Sequence, residues 1–172
     1  MKRYRFPLAI SAAMLLLGAA SSVGAQPAHE HEHAGGASAP LVARLELKAG
    51  KPWPTDATLR SSMAAIRAAF DADHPAIHAG RESDAQYEAL AGRIEREVNS
   101  IVANCKLPPD ADAQLHYVVG DLLQGVALMK GSDPEKSRHD GAARVHGALR
   151  AYGKYFDDPG WPKAEAGPSH DH

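Results

Sequence analysis

The chain has 172 residues, a formal charge of −2 with histidine neutral, 44% hydrophobic residues and one cysteine. That length suits one domain around a single core. One cysteine excludes a disulfide scaffold, and the acidic balance argues against nucleic acid as a partner.

In chain order, "MKRYRFPLAISAAMLLLGAASSVGAQ" sets Lys2, Arg3 and Arg5 before an apolar run and ends it with the small residues Val23, Gly24 and Ala25. This is the pattern of a secretory signal peptide over residues 1–25. Its apolar run is shorter than the ~20 residues that span a bilayer, and no cysteine follows to accept a lipid. The expectation is a periplasmic or secreted protein without a transmembrane anchor. Residues 26–40 hold "AHEHEHAGGASAP", in which His29, His31 and His33 alternate with Glu30 and Glu32. With so little to bury, this stretch and residues 163–172 are expected to be flexible tails. The second tail repeats the pattern in His170, Asp171 and His172.

Residues 41–162 are expected to fold. "LVARLELKAG" at 41–50 suits an extended stretch laid against the domain. A first helix is predicted from about Asp56 to Asp73, with Thr55 as N-cap and Leu59, Met63, Ile66 and Phe70 on one face. The connection around Pro75 and Gly80 is expected to be irregular. Ser83 and Gln86 have capping-box spacing and open a second helix, whose stripe is Tyr87, Leu90, Ile94, Ile101 and Cys105, with Val98 and Val102 beside it. Asn104 and the Pro108-Pro109 pair end it.

The third helix is predicted from about Asp110 to Lys130 on the seam Leu115, Val119, Leu122, Val126 and Met129. Gly120 and Gly125 within it suggest close helix approach. Ser132 and Glu135 have capping-box spacing before a fourth helix reaching about Phe156, with Ala142, Val145, Leu149, Tyr152 and Phe156 in register. Short connections favour antiparallel neighbours. The pattern predicts an all-α protein, an antiparallel up-down-up-down four-helix bundle. In that topology Trp53 and Trp161 share one end and lie over the core, or form a docking patch. Cys105, continuing the stripe, is expected to be buried and inert.

No G-x-S-x-G elbow, phosphate-cradling glycine loop or H-E-x-x-H motif is present, so no enzyme activity is expected. Metal binding is the strongest chemical signal. Neutral imidazole suits copper and zinc, and the interleaved carboxylates add charge and donors. In the bundle, Met63, His116 and His146 fall at similar depths and form a candidate layer. Both histidines follow seam residues, which places them at the core boundary. At the other end His74 and His78 are candidates to approach His139.

An exported four-helix bundle of this size resembles the small periplasmic bundle cytochromes. Members of the c type attach haem through C-x-x-C-H, so a single cysteine implies no covalent haem here. The b type holds haem with a methionine early in the first helix and a histidine near the end of the last. Met63 matches the first position, but Gly153 stands where the histidine is expected, and His146 lies almost two turns earlier. "LELKAGKPWPTDATLRSSMAAIR" and "IVANCKLPPDADAQLHYVV" also resemble a group of uncharacterised exported bundle proteins, which implies a haem-free periplasmic bundle. The expected role is buffering or delivery of copper or zinc. The alternative is an envelope structural or interaction protein whose partner meets the tryptophan end.

Overall fold

A computed structural model describes residues 39–162. Four helices dominate it: α1 (Ala57–His78), α2 (Asp84–Asn104), α3 (Pro109–Met129) and α4 (Arg138–Tyr155). A 3-10 turn at Leu41–Arg44 and the two-residue strand β1 (Trp53–Pro54) precede them, and β2 (Phe156–Asp157) follows. α1 packs on α2, α2 on α3, α3 on α4, and α4 returns to α1, which closes the bundle. Among the described residues, no helix is long and apolar enough to cross a membrane.

The predicted apolar stripes face inward. Leu59, Met63, Ile66 and Phe70 of α1 meet Leu90, Ile94, Val98 and Ile101 of α2 in one buried cluster with Leu115, Leu122, Val126 and Met129 of α3. α4 supplies Ala142, Val145, Leu149 and Tyr152. In α3 the inward position is taken by Val118, while the predicted Val119 is only partly buried. Val102 points outward and Cys105 is half-buried.

Helix boundaries correct the sequence expectations in four places. Asp56, not Thr55, caps α1: its backbone is extended and its Oδ1 accepts from Leu59 N at 2.7 Å. Thr55 instead donates its hydroxyl to Asp157 O at 2.7 Å. α1 does not stop at Asp73 but runs through Pro75 to His78. Proline there removes a single helical hydrogen bond. Beyond the Ala79 C-cap stands Gly80, whose φ of +64° permits a Schellman turn with Arg81 N donating to Ala76 O at 2.9 Å.

The fourth helix starts later than the Ser132–Glu135 spacing suggests. Ser132 N is used in the matching turn that ends α3, donating to Ala127 O at 3.1 Å, and Asp133 Oδ1 accepts from Glu135 N at 2.9 Å. The capping box belongs to Ser137 and Asp140. Finally, the expected extended stretch at 41–50 begins with the 3-10 turn and reverses at Ala49-Gly50, where Lys48 and Lys51 form a bridge.

Two devices hold the bundle at its edges. Between α3 and α4, Gly125 and Gly141 face each other so closely that a Cβ on Gly141 would lie 2.6 Å from Gly125 O. Beside them Asp121 is fully buried, accepting from Arg144 Nη1 at 2.6 Å and from Val42 N at 2.9 Å. The pair thus ties the N-terminal 3-10 turn onto α3 and α4. At the other edge β1 and β2 pair in parallel, Trp53 with Phe156 and Pro54 with Asp157. Trp161 meets the Tyr152 ring edge-on at 4.8 Å, so both tryptophans cover the same end of the core.

Candidate functional site

Continuing α1 through Pro75 places His74 and His78 on helical backbone, four residues apart and so on one face. The neighbouring helix α4 presents His146 to His74. Ring centres of His74 and His146 are 5.5 Å apart at 57°, and those of His74 and His78 are 6.1 Å apart at 55°. Phe70, buried in the core, lies under this group, with its ring centre 5.6 Å from His74 and 5.5 Å from His146. His74 is half-buried, and His78 and His146 are exposed.

The electrostatics favour a neutral ring at His146. Burial pushes its pKa down, and charge on His74 and Arg150 acts in the same direction, against the opposing pull of Asp71. A neutral imidazole retains a lone pair for a metal or a hydrogen-bond donor. Asp71, about one turn before His74 and two before His78 on α1, is paired with Arg67 at 3.3 Å.

The structure does not bring the candidate Met63, His116 and His146 layer together. Met63 is fully buried among core side chains. His116 points outward from α3, with Nδ1 2.8 Å from Asp112 O and 3.6 Å from Asp112 Oδ2. His146 joins His74. Nor is His139 the partner of His74 and His78: it is exposed in the first turn of α4, beside the Ser137–Asp140 cap. The reason is the extra length of α1, which carries both histidines alongside α4. His29, Glu30, His31, Glu32 and His33 lie outside the described residues, as do His170, Asp171 and His172.

A second group of donors lies around Cys105. It lines a crevice of about 190 Å³ with Asp112, His116 and Val102. Burial first, then the hydrogen bond to Asp56 and the charges of Asp56 and Asp112, together push the Cys105 thiol up to about 12. Ligation needs the thiolate, so this crevice is a poor metal site at neutral pH. Gly153, where a bundle cytochrome would carry its histidine, is covered by the Trp161 indole, which a side chain there would strike.

Sequence reasoning missed Asp121 and Arg144. The available signal was register: Asp121 is three residues after the buried Val118 and four before Gly125, so an acid continues the buried stripe. Among the described residues, no three His, Cys, Asp or Glu side chains already converge on one point as metal ligands. No family model matches this chain, and no curated protein or solved structure does either.

Proposed function

We propose that the protein is an exported metal-binding protein that buffers or delivers copper or zinc in the periplasm, with residues 28–33 as its capturing arm. The observation that carries this reading is the alternation of His29, His31 and His33 with Glu30 and Glu32 directly after a signal-peptide pattern. Imidazole and carboxylate donors at that density give a borderline divalent ion several ligands within reach, and copper binds such nitrogen sites more tightly than zinc. Because ligation needs neutral imidazole, affinity falls as pH approaches and passes below the ordinary histidine pKa of ~6.5.

The test is a copper titration of the full chain beside a variant carrying His29→Gln, His31→Gln and His33→Gln. The full chain is expected to hold at least one equivalent more than the variant and to release it near pH 5, with unchanged helical circular dichroism. Equal binding by the two proteins overturns the role of the arm. A second reading, an envelope interaction protein, is favoured by the tryptophan end, where half-buried Trp161 separates grooves of about 600 and 750 Å³ that both include Arg67. Loss of function on replacing Trp161, with metal binding intact, would select it.

A further inference from the structure

The bundle carries a histidine group that the arm does not account for. Two imidazoles bound to one tetrahedral zinc at ~2.0–2.1 Å have ring centres roughly 5 Å apart. The His74–His146 and His74–His78 separations of 5.5 and 6.1 Å are close to that spacing. Histidines four apart on a helix are also the arrangement that lets one helix offer two ligands to a single ion.

We propose that His74 and His78 of α1 and His146 of α4 form a transition-metal site of the bundle itself, taking one copper or zinc ion across the α1–α4 seam. This deepens the metal-binding reading and shares with it only the class of ion. The three rings come from two helices that the core already fixes side by side, so their backbones need not move. The rings are tilted against one another, not aimed at one point. Binding therefore turns the exposed His78 and His146 rings about their side-chain torsions while half-buried His74 stays against Phe70. Phe70 walls the site on the core side, and the exposed side leaves room for water as the fourth ligand, as an open tetrahedral site requires. Asp71 contributes negative charge one helical turn away, and Arg150 contributes opposing positive charge from α4. An ion taken up in this way is held by three nitrogens and open to solvent on its outer side.

The experiment uses the full chain with the tail histidines removed by His29→Gln, His31→Gln, His33→Gln, His170→Gln and His172→Gln. Zinc chloride and copper(II) chloride are titrated separately by calorimetry, nitrogen hyperfine coupling is read in the copper(II) paramagnetic resonance spectrum, and the thermal midpoint is followed with zinc. The tail-substituted chain is expected to bind one equivalent with coupling to more than one imidazole nitrogen. Its midpoint should rise, because an ion held only by the native arrangement stabilises it. Adding His74→Ala or His146→Ala should weaken binding by more than the roughly tenfold that losing even an outer-shell partner costs. His78→Gln, at an exposed position, does the same without touching the core, and His139→Ala leaves binding unchanged.

If the tail-substituted chain binds nothing while the unsubstituted chain binds, the seam site is wrong and the capturing arm stands. Binding by neither form overturns both. Binding that survives His74→Ala and His146→Ala but falls with His116→Ala places the ion elsewhere and overturns the seam site alone.

Discussion

α4 has two edges of opposite character. Toward α3 it presents Gly141, Arg144 and Val145, which close against Gly125, Asp121 and the core, with the fully buried Asp121 carboxylate paired to Arg144 in the contact. Toward α1 it presents the exposed His146 ring over buried Phe70 and half-buried His74. The first edge is made of backbone contact and buried charge, both intolerant of change. The second is made of rings with room to turn. One helix therefore fixes the architecture along one side and leaves the other free for chemistry.

The largest break in this contrast is expected at the buried pair. Asp121→Ala removes the fully buried acceptor shared by Arg144 Nη1 and Val42 N, while Arg144 keeps Gln124 Oε1 at 2.8 Å; each hydrogen bond lost to a charged acceptor costs about 1.5–3 kcal/mol. Urea unfolding should show it as a lowered midpoint. Adding Arg144→Met, which removes the guanidinium that Asp121 answers, should restore part of the loss. Next in size is Gly141→Ala. Its methyl group would meet Gly125 O and Met129 N, and overpacking of this kind costs about 1–3 kcal/mol. The same measurement checks it.

A smaller effect, of about 1 kcal/mol for a lost N-cap, is expected for Asp56→Ala. Burial pushes the Asp56 carboxyl up, but hydrogen bonds from Leu59 N, Lys106 N and the Cys105 thiol, with the charge of Arg60, hold it below its ordinary value. A depressed carboxylate contributes stability above its unfolded pKa of ~3.9 and loses it as pH falls through the folded value. Asp56→Ala should therefore flatten the acid limb of stability against pH. It should also release Cys105: the native thiol should label slowly in the parent chain and faster in the variant, with no difference after denaturation. His146→Ala is expected to be smallest, within ~0.5 kcal/mol without metal. A loss like that of Gly141→Ala would show that the α1 edge is structural as well.

The bundle was legible because heptad stripes such as Leu59, Met63, Ile66 and Phe70 report burial directly through their spacing. The clamp was not, because Asp121 and Arg144 are 23 residues apart and an acid in a helix is read by default as solvated. The start of α4 was misplaced because Ser132–Glu135 and Ser137–Asp140 offer the same local chemistry. Only the turn ending α3, which uses Ser132 N, decides between them. For the histidines, composition identified the residues and depth along ideal helices misgrouped them. A helix that continues past Pro75 moves His74 and His78 alongside α4, and no periodicity within α4 identifies which neighbour His146 will meet.

The pairing of Trp53 with Phe156 has a consequence in time. Thr55 and Asp157, joined beside it, are separated by 102 positions, and the loop they close contains every helix. A ladder of two residues returns too little free energy to close such a loop in an extended chain. The ends can meet only after the helices have folded back on one another. Helical signal should then grow before the tryptophan fluorescence reaches its native value during refolding, and in rising denaturant the tryptophans should loosen first. The two short strands work as a latch, shut last and opened first.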